Sequence, residues 1–170
     1  MSDQDHRRGA PRSVGVAIIT VSDTRTKADD ASGQLARELL ERAGHEVRDY
    51  QILKDEPEQV RAAVEELSNR QDLRAIVLNG GTGISRRDRT YEAVASLLDR
   101  RLDGFGELFR ALSYQEIGSA AILSRAVAGI RGDKVIFSIP GSTPAVSLAL
   151  ERLILPELGH ILAELDKGPT

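Results

Sequence analysis

Three observations predict an α/β fold: a three-layer, mostly parallel twisted sheet with helices on both faces and a small antiparallel hairpin addition. Apolar runs of strand length alternate with segments in which leucine and valine recur at helical spacing. Residues 14–21 and 75–78 are apolar almost throughout, as strands covered on both faces are. Turns rich in glycine, proline, serine and aspartate follow directly on such runs, at the edge where doubly wound sheets hold their ligands.

Residues 14–21 form the first strand. The polar connection that follows, residues 22–33, exceeds the roughly two to six residues usual between strand and helix, and such length marks a working loop. Leu35, Leu39, Leu40 and Ala43 then set a helix that Gly44 stops. Partial alternation over residues 47–53 predicts a strand near the sheet edge. A helix follows with Pro57 in its first turn and Val60, Val64 and Leu67 on one face. On local sequence alone, Asp55 and Glu56 are ordinary acids for a helix start and are expected to cap it. After the strand at 75–78, a helix is predicted from Thr90, as its cap, to about Leu98. Phe105, Leu108, Phe109 and Leu112 give residues 104–113 an apolar helical stripe. Residues 118–130 and the strand at 134–139 are expected to pair as a hairpin. A rigid turn at 140–144 leads into a long C-terminal helical region, which Pro156 should break or kink. The chain reads as one domain over residues 14–166, preceded by a flexible tail over residues 1–13.

The stretch at 74–90 organises the rest. Gly80, Gly81 and Gly83 let backbone amides approach an oxyanion that a Cβ would keep away. Thr82 and Ser85 add hydroxyls. Arg86, Arg87 and Arg89 surround Asp88, and guanidinium forks suit phosphate oxygens. The pattern meets neither the P-loop nor the dinucleotide fingerprint, so a tight strand-to-helix turn is the plain alternative. Arginine is also abundant throughout, with 19 against four lysines, so a cluster of three is weak evidence by itself.

A net charge of −3 argues against a general nucleic-acid or membrane binder, so any cationic surface must be local. With no cysteine, disulfides, thiolate catalysis and cysteine-ligated metals are excluded, which fits a cytoplasmic protein. No stretch approaches the ~18 apolar residues of a membrane helix, and the first 13 residues lack the apolar core of an export signal. His6, His45 and His160 are poorly placed for catalysis, and no Ser-His pair is apparent, so acyl transfer is disfavoured. Phosphate chemistry asks less: cations and amides to hold the phosphates, and carboxylates such as Asp55 and Asp88 to hold Mg²⁺.

The motif at 79–90, taken with those at 20–23, 32–33, 104–107, 123–125 and 140–142, resembles the MoaB/MogA family of molybdenum-cofactor biosynthesis proteins, over residues 14–165. The resemblance implies a molybdopterin-binding α/β domain which, in active members, transfers adenylate from Mg-ATP to the terminal phosphate of molybdopterin and releases pyrophosphate. The family's two important acids fall on Asp55 and Asp88, which would also hold the Mg²⁺. Gly80, Gly81, Thr82, Gly83 and Ser85, with Arg86 and Arg87, would hold pterin or phosphate. Ser22, Asp23, Ser32 and Gly33 belong to the same rim, while Ser124, Arg125, Pro140, Gly141 and Ser142 would line the pterin end. The region from Phe105 through Gly129 is more MoaB-like, whereas the acids follow the active pattern. An adenylyltransferase, a non-catalytic pterin carrier or scaffold, and a nucleotide-binding regulator of the same architecture all remain open on these residues. The resemblance also implies a homotrimer or hexamer, with its interface sought in residues 104–130, and a downstream metal-insertion enzyme as partner.

Overall fold

A computed structural model describes residues 10–168. The first nine residues of the expected tail, with His6, lie outside the described residues. The strands are β1 (Gly15–Val21), β2 (Glu46–Leu53), β3 (Ala75–Asn79), β4 (Arg100–Arg101), β5 (Val127–Arg131) and β6 (Lys134–Ile139). The helices are α1 (Ala31–Arg42), α2 (Pro57–Ser68), α3 (Thr90–Ala95), α4 (Asp103–Ile117), α5 (Thr143–Ala149) and α6 (Leu155–Leu165).

The strands form one sheet in the order β2-β1-β3-β6-β5-β4. Its first four strands are parallel, while β5 and β4 are antiparallel additions. Alternate residues face opposite layers, as the period of a strand requires. Val16 and Ile18 of β1, Val77 of β3 and Phe137 of β6 pack with α1, α4, α5 and α6. Ile19, Ile76, Leu78 and Ile136 pack with α2 and α3 on the other face. The central strands are therefore apolar on both sides, and the expected three-layer fold is observed.

Two local expectations are corrected, and one strand was not anticipated. Residues 118–130 are not one strand: Gly118–Leu123 is a 3₁₀ turn, and only Val127–Arg131 pairs with β6. The first half, Gly-Ser-Ala-Ala, lacks the branched side chains that favour a pleat. β4 was not foreseen, because two arginines carry no alternation. Pro156 does not break the C-terminal helix. A π turn at Leu150–Ile154, closed by Leu155 N–H donating to Leu150 O, comes just before it. That turn resets the helix so that Pro156 sits in the first turn of α6, where a missing N–H costs little.

Because β2 lies on one side of β1 and β3 on the other, the chain reverses direction across the sheet between β1 and β3. That crevice, at the carboxyl ends of the strands, is where this topology places a ligand.

Candidate functional site

Four connections leave the parallel strands at this edge: residues 22–30, 54–56, 80–89 and 140–142. Since β5 runs the opposite way, its approach brings Ser124 and Arg125 to the same rim. Between them opens a cleft of about 420 Å³. Ser22, Thr24 and Arg25 line it from the first loop, Gly80, Gly81, Thr82, Gly83 and Asp88 from the glycine turn, Leu123 and Ser124 ahead of β5, and Pro140 and Gly141 after β6.

The two acids flank the glycine turn. Gly81 has φ +67°, and a Cβ there would stand 2.6 Å from Asp55 Oδ2 and 2.2 Å from Thr90 Oγ1. A Cβ at Gly83 would stand 2.6 Å from Asp88 Oδ2. Glycine at both positions is thus what lets the carboxylates close on the turn. Asp55 does not cap α2, which has no side-chain cap. Its carboxylate instead accepts from the backbone N–H of Arg89 at 3.3 Å and from Thr90 Oγ1 at 3.1 Å. Thr90 is correspondingly the first residue of α3 and not its cap. Asp88 Oδ2 accepts from Ser85 Oγ at 2.5 Å and Ser85 N at 3.2 Å. Burial pushes the Asp55 carboxyl above its ordinary pKa; the bonds from Arg89 N and Thr90 pull it down, and the charges of Asp88 and Asp23 add to the rise.

Asp23 braces the loops without lining the cleft. It accepts from Asp55 N at 3.1 Å, and its carboxylate meets Arg87 at 2.7 and 3.0 Å, an engagement that holds its pKa at about 2. Arg87 also pairs with Glu56 at 2.8 Å. Its Nε and Nη2 are therefore engaged by protein carboxylates, and it lies outside the cleft lining. Arg86 is exposed and outside the cleft lining. Arg125 is similarly occupied: Nε donates to Thr82 O at 3.0 Å, Nη2 to Gly83 O and to Asp88 O at 3.3 Å, and Nη1 to Glu92, with the guanidinium 5.1 Å from the Tyr91 ring centroid. It fastens the carbonyls of Thr82, Gly83 and Asp88, while the Gly80 amide donates to Ile139 O at 3.0 Å. Ser142 accepts from Ala145 N at 3.2 Å as the N-cap of α5, and Ser22 Oγ accepts from Arg25 N at 3.1 Å.

Ser32 and Gly33 lie in the first turn of α1, which begins earlier than the leucine spacing suggested. Asp30 caps it, accepting from Gly33 N at 3.1 Å. Ser32 Oγ bonds Asn79 Oδ1 at 2.8 Å, and Asn79 Nδ2 donates to Thr20 Oγ1 at 3.0 Å, forming a buried polar chain between α1 and the ends of β1 and β3. Burial opposes the charge on Asp30, yet bonds from Thr20, Tyr50, Gly33 N and Ser32 outweigh it and keep its pKa below the usual range. Sequence reasoning missed Arg25, Asp30, Asn79 and Thr90. An aspartate two residues before Ser32-Gly33 was a readable N-cap signal, whereas nothing distinguished Arg25 among so many arginines.

Mg²⁺ is commonly bound through one or two carboxylates with phosphate oxygens and water completing its shell. Among the described residues no group of three or more His, Cys, Asp or Glu is placed to hold a metal. Of the two expected acids, Asp88 lines the cleft, whereas Asp55 is buried behind Gly81.

The sequence family described as "Probable molybdopterin binding domain" matches residues 17–160. Molybdenum cofactor biosynthesis protein B of Halalkalibacterium halodurans is 57% identical over 168 residues, covering 98% of this chain and 99% of its own. A crystal structure of a molybdenum cofactor biosynthesis protein B superposes with a TM-score of 0.91 at 54% identity, covering 94% of this chain and 99% of that one. The tungsten cofactor synthesizing protein MoaB from Pyrococcus furiosus gives 0.84 at 43% identity, covering 93% and 100%. With this fold, this cleft and these relatives, the chain belongs to the MoaB/MogA family of molybdenum-cofactor biosynthesis proteins.

Proposed function

We propose that this protein is a molybdopterin adenylyltransferase. A terminal phosphate oxygen of molybdopterin attacks the α-phosphorus of ATP, a new P–O bond forms, the bond from the α-phosphorus to the bridging β-oxygen breaks, and pyrophosphate leaves. One observation carries this reading: Asp88, which lines the cleft, and Asp55, buried against Gly81, come from separate connections and close on a single glycine turn. Mg²⁺, when bound, would neutralise charge on the phosphates and hold them in line. Thr90 and Arg89 N orient Asp55, and Ser85 orients Asp88. The amides of the glycine turn, steadied by Arg125, would spread the charge of the transition state.

The test is incubation with molybdopterin and labelled Mg-ATP, read out as adenylylated pterin. Asp88→Asn should retain pterin binding and lose pyrophosphate release; a variant that turned over normally would remove the assignment. A second reading, a pterin carrier without catalysis, is favoured by the placement of Asp55, which is buried and outside the residues lining the cleft. Pterin binding with no ATP-dependent product would establish it. In either reading the protein works in the cytoplasm as a homotrimer or hexamer, and hands its pterin to a metal-insertion enzyme.

A further inference from the structure

The arginines that stand out in the sequence bring no cation to the cleft. Among the residues lining it, Arg25 alone is positively charged. Its guanidinium is fixed from several directions. Nη1 donates to Ser32 Oγ at 2.6 Å and to Gly141 O at 3.2 Å, and Nη2 donates to the same carbonyl at 3.2 Å. The fully buried carboxylate of Asp30 lies 3.5 Å from Nη1. A guanidinium carries five N–H donors. These contacts leave the Nε–H and one Nη2–H without a protein partner among the described residues, on a side chain still 36% exposed. Ser32 Oγ, Gly141 O and the nearby Asp30 carboxylate, itself anchored by Tyr50 and Gly33 N, hold Arg25 in this pose without a ligand. A preplaced fork with two open donors, beside a glycine turn, suits a tetrahedral oxyanion.

We propose that Arg25 is the residue by which the cleft recognises the phosphoryl group of its ligand, held for that task by Asp30, Ser32 and the Gly141 carbonyl. This rests on the reading of the cleft as a phosphorylated-pterin site and adds which side chain meets the phosphate. The same contacts tie the first loop to the Pro140 turn, so the rival account makes Arg25 a brace alone.

Binding of molybdopterin and of its dephosphorylated form, followed by pterin fluorescence, separates the two. Wild type should prefer the phosphorylated form. Arg25→Gln should weaken molybdopterin binding roughly 10- to 100-fold while leaving the dephosphorylated form within about threefold of wild type. Arg25→Lys keeps the charge without the fork and should fall between, and it supplies the comparison if the glutamine variant melts below the assay temperature. Equal weakening of both forms in these variants would make Arg25 a brace, and a wild type indifferent to the phosphate would also overturn the proposal, though pterin binding would stand. Failure of wild type to bind either form would instead overturn the pterin reading itself.

Discussion

The Thr90 hydroxyl donates to Asp55 Oδ1 at 3.1 Å, so the first residue of α3 holds a carboxylate that belongs to the connection after β2. Asp55 is thereby kept against Gly81, with only 5% of its surface exposed. Function and stability are set against one another at this contact, because a buried charge beside other acids is where an anionic site destabilises its own fold.

Asp55→Asn is expected to separate the two. Burial, the largest influence, raises the folded pKa above the unfolded value of about 3.9. Between those two values the native state holds more protons than the unfolded chain, so this group's contribution to stability falls as pH rises through the window. The asparagine variant should therefore melt at or above the wild-type temperature near pH 7, with the difference closing below about pH 4. Adenylyl transfer should be lost. Thermal melts across pH check the sign: a variant less stable at neutral pH would contradict it.

Gly81→Ala should be severe. The added Cβ meets Thr90 Oγ1 and Asp55 Oδ2 well inside contact distance, in a left-handed conformation that already disfavours side chains. A loss of about 2 kcal/mol or more, and loss of pterin binding, are expected. Gly132→Ala is the control: its φ of +59° is similar, but a Cβ there meets nothing within 4 Å. It should cost only about 1 kcal/mol and leave binding intact. Chemical denaturation of both variants measures the contrast.

Arg125→Lys should not rescue what Arg125→Gln loses. A planar fork reaches Thr82 O, Gly83 O, Asp88 O and Glu92 together, whereas an ammonium is one compact point. Both variants should lose about 1–3 kcal/mol of stability. Turnover should fall more than pterin affinity, because the residue arranges the turn without lining the cleft. Separate kcat and KM values test this.

Asp23 and Arg87 should behave as a unit. Asp23→Asn and Arg87→Met break the same exposed pair, so the double variant should have nearly the kcat/KM of the worse single one, apart from what Arg87 owes to Glu56. Additive losses would show that the two act independently.

Leu108, Tyr114, Ile117 and Ile122 are each more than half exposed along α4 and the 3₁₀ turn. We expect this face to be covered by another copy of the chain. Leu108→Glu with Ile117→Glu should shift the sizing profile to monomer, and a wild-type monomer would refute the expectation.

The layers, strand positions and meeting of the loops were legible in the sequence because burial on both faces leaves so clear a record in β1, β3 and β6. Partnerships were not. Asp55 looked like a cap for the helix next to it, since local spacing cannot report that a threonine 35 positions away will claim its carboxylate. Arg87 gave no sign that the fold would bring Asp23 and Glu56 within its reach. Arg25 gave no sign at all, because its role depends on Gly141, which is 116 positions distant.

The strand order carries a final consequence. The lining of the cleft is drawn from stretches near positions 22, 80, 124 and 140, and β3 and β6 are the adjacent strands that carry two of them. No fragment contains a working portion, so recognition is a property that emerges only once the whole sheet has assembled. Slippage along the seam between these two strands would silence the protein while its helices, and its circular dichroism, remained nearly normal.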